Sequence, residues 1–357
     1  MTRVTRVAHV VSSLSVGGAE RLVVDLAHAQ RREGLTVMLL DLGRDERPLG
    51  ETARALGIEV VRVGRRRSRL GRFLVLARTL VARPAQAVHI HNPGALRAVL
   101  PLLPFVGGPV LYTRHGPSPY AAEKWKTLHR VARSFVHRVT FVTEDARLAF
   151  RNTHGNDWPD AVIRNGVPVA HEPPIRTRGT RLRLGSVGRL VELKRQHLLL
   201  DAVAQLPPEL RSRVEIHLFG DGPERASLAE HARTELDGVP VVFHGTVLER
   251  ETIYGHVDVL VVSSRMEGLS MAMLEAMARA VPVIATDVGG NRELVHDERT
   301  GLLVPTNDVT ALRTAIARML REPTLPARLG RASHELISRR YSIAEVAARY
   351  QELYEQR

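Results

Sequence analysis

The chain's 357 residues exceed what one hydrophobic core usually serves, so two domains are expected, and 44% hydrophobic with 25% charged residues is ordinary globular composition. A net charge of +13, nearly all from arginine because only Lys124, Lys126 and Lys194 are lysines, fits anionic partners or simply a GC-rich genome. Aromatic content of 4% without basic–aromatic interleaving argues against nucleic acid, and the lack of cysteine excludes a disulfide framework, a thiol nucleophile and a thiolate metal site.

Met-Thr-Arg opens the sequence without a secretory apolar region, so cytoplasmic residence is expected. Val7–Val11 reads as a first strand. The loop Ser15-Val16-Gly17-Gly18-Ala19-Glu20 then leads into a helix from about Gly18 to Glu33, with Leu22, Val23, Leu26 and Ala27 on one face and Gly34 as its stop. Glycines admit a phosphate close to backbone and a helix start favours an anion, although a plain tight turn has the same spelling. Strands are expected at Thr36–Leu40 and Glu59–Val63.

The basic run Arg65-Arg66-Arg67-Ser68-Arg69, continued by Arg72, precedes an amphipathic stretch with Leu70, Phe73, Leu74, Ala77 and Leu80. Such a segment suits an anionic membrane surface, or is a solvated charged face. Further strands are expected at Ala87–Ile90 and Val110–Thr113. The most apolar stretch, Val99 to Tyr112, is interrupted by Pro101, Pro104 and Pro109 and falls short of the ~20 residues that span a bilayer. Thr113-Arg114-His115-Gly116 ends its strand, which puts His115 where it could bond a sugar hydroxyl or carry a proton; it is one of 16 histidines, most of which must be structural. Val139–Thr143 is the last strand of this half.

Pro- and Arg/Thr/Gly-rich sequence near residues 170–181 marks a linker, and the rhythm restarts with strands at Leu182–Val187, Val214–Phe219, Val241–Phe243, Val257–Val262 and Val281–Ala285. Gly188-Arg189-Leu190 follows the first of these, with Lys194-Arg195 soon after. Positive charge here can meet a leaving phosphate, or be an exposed basic turn. Phe219-Gly220-Asp221-Gly222-Pro223 reads mainly as structure, with Pro223 suited to a first helical position. The helix from Ser270 is apolar nearly all round and therefore buried, yet Glu275 interrupts it. A buried carboxylate needs partners: the two hydroxyls of a ribose, or an arginine. Glu267 stands in the loop before it. Ile343–Tyr354 closes the chain as an amphipathic helix.

Short apolar strands alternating with helices in both halves give an α/β class: two Rossmann-like doubly wound domains whose strand ends face a shared cleft, residues 1–172 and 181–341, with helix 342–357 packing back on the first. Neither an Asp-x-Asp nor a His-x-x-x-His pair is present, so no metal site and no cofactor is expected, and a bound diphosphate would rely on Arg189, Lys194 and helix amides.

Taken in order, Gly17-Gly18-Ala19-Glu20, His115-Gly116, Asn165-Gly166-Val167, Gly188-Arg189-Leu190 with Lys194, Gly220-Asp221-Gly222-Pro223, Phe243-His244-Gly245, Glu267-x7-Glu275, and Pro282-Val283-Ile284-Ala285-Thr286 with Gly289-Gly290 and Glu293 resemble the retaining GT-B glycosyltransferases of family four. The resemblance spans almost the whole chain. It implies a nucleotide-diphosphate sugar donor (UDP- or GDP-linked) held mainly by the second domain and an acceptor hydroxyl served by the first. By the same resemblance Gly17 and Gly18 approach the donor phosphates, His115 contacts the transferred sugar, Arg189 and Lys194 hold the diphosphate, Glu267 the sugar hydroxyls and Glu275 the ribose. Backbone around Val247 meets the base, that of Gly268, Leu269, Ser270 and Met271 the sugar and phosphate, and Asn165 joins the substrate-binding set. Ala280 departs from the pattern, standing where the family carries glycine. A lipid-linked or cell-envelope glycan is the acceptor class considered, with peripheral membrane contact through the Arg65–Arg72 region. Rival readings are a sugar-nucleotide epimerase of related architecture and a retired transferase that only binds.

Overall fold

The structure is a computed structural model that describes residues 4–45, 47–64, 68–82, 85–115, 123–172 and 179–356. Contacts divide the chain into two compact units, Met1–Gly166 with Ile343–Arg357, and Val167–Ser342. The first boundary lies at Gly166 because Val167 bridges Ser342 and donates its N–H to the Tyr341 carbonyl at 2.9 Å, which ties it to the second unit.

The first unit holds β1 (Arg6–Val11), β2 (Thr36–Asp41), β3 (Glu59–Arg62), β4 (Ala87–His91), β5 (Val110–Arg114), β6 (Arg138–Phe141) and β7 (Asp160–Val162). They form one parallel sheet in the order β3-β2-β1-β4-β5-β6-β7. The order reverses between β1 and β4, the point at which open α/β sheets part to admit ligands beyond their carboxyl ends. Parallel strands covered on both faces are largely apolar, and Val10, Leu40, Val88, Ile90, Val110 and Phe141 supply the core on one face of the sheet.

The second unit repeats the plan with β8 (Leu182–Val187), β9 (Val214–Phe219), β10 (Val241–Gly245), β11 (Val259–Val262), β12 (Val283–Thr286) and β13 (Leu302–Val304), ordered β10-β9-β8-β11-β12-β13 and again parallel. Its switch lies between β8 and β11. Leu184, Ile216, Leu218, Val259, Val261 and Ile284 sit at the centre of its core. Two parallel doubly wound units of this kind are the Rossmann-like pair expected above.

Local chemistry sets the element ends. The helix Gly18–Arg32 stops in a Schellman motif, with Gly34 N–H on the Arg31 carbonyl and Leu35 N–H on that of Gln30, and Gly34 in the left-handed region at φ 91°. The strand expected at Val139–Thr143 ends at Phe141, because Thr143 turns to cap the helix Glu144–His154 and accepts from Ala146 N–H at 3.2 Å. The strand expected from Val281 begins at Val283, since Val281 N–H closes the preceding helix on the Ala276 carbonyl. β7 and β13 were not expected; three-residue strands are too short to show a period, and pairing with β6 and β12 makes them. Pro223 lies in a turn ahead of the helix Arg225–Glu235, not at its first position. Among the described residues no helix is long and apolar enough to cross a membrane.

Candidate functional site

In the second unit the loops leaving β8 and β11 meet across the switch point. Residues 188–195 form the first, and Arg265 N–H bonds the Leu193 carbonyl while Ser263 Oγ donates to the carbonyls of Lys194 and Arg195, at 3.0 and 2.8 Å. Lys194, on a short turn of 3-10 helix, forms an ion pair with Glu267 Oε1, and Ser264 Oγ donates to the same oxygen at 2.7 Å. Arg195 beside it has φ 50°, a left-handed conformation imposed by the tight exit from that turn. Arg189 is exposed on the same loop, its backbone carbonyl held by Gln196 Nε2 at 3.1 Å, and its guanidinium has no acidic partner among the described residues.

Close backbone approaches shape these loops, and glycine permits them. A Cβ on Gly222 would lie 2.2 Å from the Leu190 carbonyl oxygen, and one on Gly289 would lie 2.1 Å from that of Glu267. Gly290 presses likewise on the Gly268 carbonyl, at 2.3 Å. The Gly289-Gly290 pair thus clamps the backbone that carries Glu267.

Leu269 and Ser270 are buried where the helix Met271–Met277 begins; Ser270 is its N-cap residue but its side chain makes no capping bond. Every residue of that helix except Ala272 is buried, Glu275 included. Glu275 Oε1 accepts from Arg250 Nε at 2.7 Å and Oε2 from the Tyr254 hydroxyl at 2.9 Å. The arginine considered as its alternative partner is therefore Arg250. Arg250 and Tyr254 were not singled out in the sequence; their signal is the helical spacing of an arginine and a tyrosine on Arg250–Gly255. Val247 lies half-buried in the loop after β10.

In the first unit Gly17 and Gly18 follow β1 and His115 meets His91 of β4, on the two sides of the switch point, whereas Asn165 follows β7 at the edge of the sheet. Gly17, extended at φ −163°, precedes the helix that Gly18 opens, and the Glu20 carboxylate folds back so that a Cβ on Gly17 would sit 2.3 Å from its Oε2. A carboxylate at this end of a helix is favoured by the unpaired amides. His115 follows β5 directly and its Nε2 is 2.9 Å from His91 Nδ1. Burial, followed by the nearby Arg114 charge, lowers its pKa to about 4, so the ring is neutral at pH 7. Gly116 lies outside the described residues. Asn165 is buried at the end of the unit, two positions before the Val167–Ser342 bridge. Asn92, which sequence reading missed, has φ 75° and ψ 159° at the end of β4, caps the helix Pro93–Val99 and takes a 2.6 Å bond from Ser12 Oγ. Strain of this kind costs about 1–3 kcal/mol and gathers at ligand sites.

Comparison with known proteins places this geometry. The sequence model of Glycosyltransferase Family 4 matches residues 16–171, and that of Glycosyl transferases group 1 matches residues 171–336. The chain is 35% identical over 170 residues to the lipopolysaccharide core biosynthesis glycosyltransferase LpsE of Rhizobium meliloti, covering 47% of this chain and 48% of that one. It is 32% identical over 217 residues to the GDP-mannose-dependent alpha-(1-6)-phosphatidylinositol monomannoside mannosyltransferase of Mycolicibacterium smegmatis, covering 54% and 55%. The matched stretches thus span about half the length of these curated relatives. Among solved structures, HepE of Anabaena in complex with UDP-glucose superposes with a TM-score of 0.83 at 20% identity, covering 97% of this chain and 98% of that one. With the two family models meeting at residue 171 and the fold matched throughout, the chain belongs to the group 1, family 4 glycosyltransferases of GT-B fold.

Proposed function

We propose that this protein is a retaining glycosyltransferase that moves a hexose-type sugar from a UDP- or GDP-linked donor to an acceptor hydroxyl without a metal ion. The observation that carries the reading is the grouping at the β8–β11 switch: the exposed Arg189 beside the Lys194–Glu267 ion pair, on loops leaving the carboxyl ends of adjacent parallel strands. When the sugar–phosphate bond breaks, negative charge builds on the leaving diphosphate. Arg189 offers a planar fork to phosphate oxygens, and Lys194 a compact charge already neutralised by Glu267 in the free protein. An arriving diphosphate draws the ammonium toward itself and frees Glu267 to accept from sugar hydroxyls. Glu275, whose carboxylate is oriented by Arg250 and Tyr254, is the group that would meet the ribose hydroxyls. Gly17 and Gly18 meet the donor phosphates, His115 the sugar, and Val247, Gly268 to Met271 and Asn165 complete the binding set. In this reading the second unit holds the donor and the first the acceptor. Retention follows same-face attack, with the leaving phosphate taking the acceptor proton.

Relatives named for lipopolysaccharide core and for phosphatidylinositol mannoside support an acceptor that is a lipid-linked or cell-envelope glycan. The helix Arg69–Ala77 adds to this, since it shows Leu70, Phe73 and Leu74 to solvent at 66%, 40% and 57% exposure. Such a face, next to the basic run, suits peripheral contact with the inner face of a membrane. Arg65, Arg66 and Arg67 themselves lie outside the described residues.

The test is a thermal-shift screen of nucleotide sugars with and without chelator, followed by transfer assays. One UDP- or GDP-sugar should raise the melting temperature, unchanged by chelator, and at a hundred times its Kd the gain is about 2.7 kcal/mol. Lys194→Met should remove turnover at least about a hundredfold, the scale of one lost charge-stabilising group. A shift abolished by chelator sinks the metal-free mechanism. Donor turned over to an isomer without any acceptor would identify an epimerase instead, and binding without transfer or hydrolysis a retired enzyme.

A further inference from the structure

One face of the first unit's sheet is polar although it is buried. His9 on β1, His89 and His91 on β4, Thr113 on β5 and Thr140 on β6 are all at most 2% exposed. Gln30, from the helix Gly18–Arg32, and Tyr350 and Tyr354, from the C-terminal helix Ile343–Glu355, meet this face. The bonds run in one connected line. His115 Nε2 is 2.9 Å from His91 Nδ1, His91 Nε2 is 2.9 Å from His9 Nδ1, and His9 Nε2 is 2.7 Å from Gln30 Oε1. Gln30 Nε2 then donates to the Tyr354 hydroxyl at 3.1 Å. That hydroxyl is 2.8 Å from His89 Nδ1, whose Nε2 is 2.6 Å from Thr113 Oγ1.

Three of these rings, His9, His89 and His91, bring nitrogens within 4.8 Å of one another, a spacing a cation could use. Each of those ring nitrogens is already spent on a hydrogen bond, so the cluster is a hydrogen-bonded line. Burial lowers His9 to about pH 4 and His89 and His91 well below their ordinary value, which keeps the rings neutral. Among the described residues the charged groups that act on this face are Arg114, which donates to the Tyr112 hydroxyl at 3.0 Å, and Arg349 beside Tyr350.

A neutral imidazole has one donor and one acceptor nitrogen, so fixing one ring fixes the next. The Gln30 carbonyl can only accept, which makes His9 a donor at Nε2 and an acceptor at Nδ1. His91 must then donate from Nε2 and accept at Nδ1, and His115 must donate from Nε2. Its Nδ1 is left without a proton. That atom is buried and has no partner among the described residues, and an unpaired lone pair is tolerated in such a place better than an orphaned N–H. Along the other branch the Tyr354 hydroxyl, accepting from Gln30, donates to His89 Nδ1, and His89 Nε2–H donates to Thr113. The whole line is consistent with one proton order.

We propose that His9, His91 and Gln30, with the Gln30 amide bonded to Tyr354 of the C-terminal helix, are positioning residues that hold His115, which the transferase reading sets against the transferred sugar, as its Nε2–H tautomer with Nδ1 bare. The substrate half of this inference rests on the transferase reading above; the tautomer half stands without it.

The experiment uses the full chain labelled with 15N-histidine, and long-range proton–nitrogen spectra at pH 7. The His115 signals are assigned by their loss in His115→Gln. Expected in the unsubstituted protein is an unprotonated Nδ1 and a protonated Nε2 at His115. Gln30→Met removes the anchor and should split His115 between both tautomers, with about a tenfold fall in kcat/KM, the worth of one hydrogen bond. Tyr354→Phe should act in the same direction, and it serves should Gln30→Met fail to fold. A protonated Nδ1 in the unsubstituted protein, or a pure Nε2–H tautomer that survives both substitutions, overturns the proposal. The spectra need no turnover, so an inactive protein with the expected tautomer refutes the transferase reading alone. A nucleotide sugar that raises the melting temperature yet leaves the His115 Nδ1 signal unmoved, with acceptor present, refutes the substrate half.

Discussion

Ala280 occupies a position built for glycine. Its N–H bonds the Met277 carbonyl at 3.0 Å and that of Val281 bonds Ala276 at 3.0 Å, the pair of bonds that defines a Schellman motif. The left-handed residue of the motif is Ala280 itself, at φ 54°. An alanine in that region costs about 1–2 kcal/mol, while glycine adds roughly 0.4–1 kcal/mol of unfolded-state entropy. Ala280→Gly should therefore stabilise the protein by about 0.5–1 kcal/mol, read as a higher urea midpoint at constant slope. A lower midpoint would show that the methyl group packs usefully. The departure from the family's glycine was visible in the sequence as a substitution; its conformation was not, because φ at one residue depends on the helix it ends and the strand it must reach.

At the scale of elements, the strand–loop–helix rhythm was readable because buried parallel strands are short apolar runs. Leu182–Val187 and Val214–Phe219 were found to the residue. The polar face of the first sheet was also spelled out, by alternation in Ala87-Val88-His89-Ile90-His91 and again in Thr113 and His115, but period two alone does not say whether histidines face water or a covering helix. The same uncertainty attends the helix Arg69–Ala77, where amphipathicity is plain and the structure buries Leu76 in the core but leaves Leu70, Phe73 and Leu74 exposed. Vesicle sedimentation tests its proposed role: binding should grow with anionic lipid, and Leu70→Ser with Leu74→Ser should weaken it at least about tenfold, since two apolar side chains are worth a few kcal/mol. Sedimentation indifferent to lipid charge and to both substitutions would leave the face as solvated surface.

For the whole molecule, the buried histidines make stability depend on pH with a definite sign. His9 and His115 are lowered from 6.5 to about 4 and His129 to about 3, in each case first by burial. Between pH 6.5 and those values the unfolded chain binds protons that the folded chain refuses, so this stability is fully present above pH 6.5 and is lost as the pH falls toward 4. Each such group adds at most about 1.4 kcal/mol per pH unit to the slope. The thermal midpoint should fall steeply from pH 6.5 to 4.5. His129→Phe, placed among Phe150 and Trp158, should make that fall shallower. Equal slopes in the two proteins would mean that the folded state accepts the proton at position 129.

By itself the sequence determined the class of fold and the number of repeats of its plan, and it named the residues proposed for the donor site, because hydrophobic period, glycine and charge are local properties and the family's motifs are contiguous. Only the tertiary structure decided which groups meet. Lys194 pairs with Glu267 and Glu275 with Arg250 and Tyr254, and four histidines from two strands and a loop are joined in a line through Gln30 and Tyr354. Those partners lie 21 to 324 residues apart along the chain. Hydrogen bonds and ion pairs act over about 3 Å, so what they join is set by how strands are ordered in a sheet, which no run of neighbouring residues records.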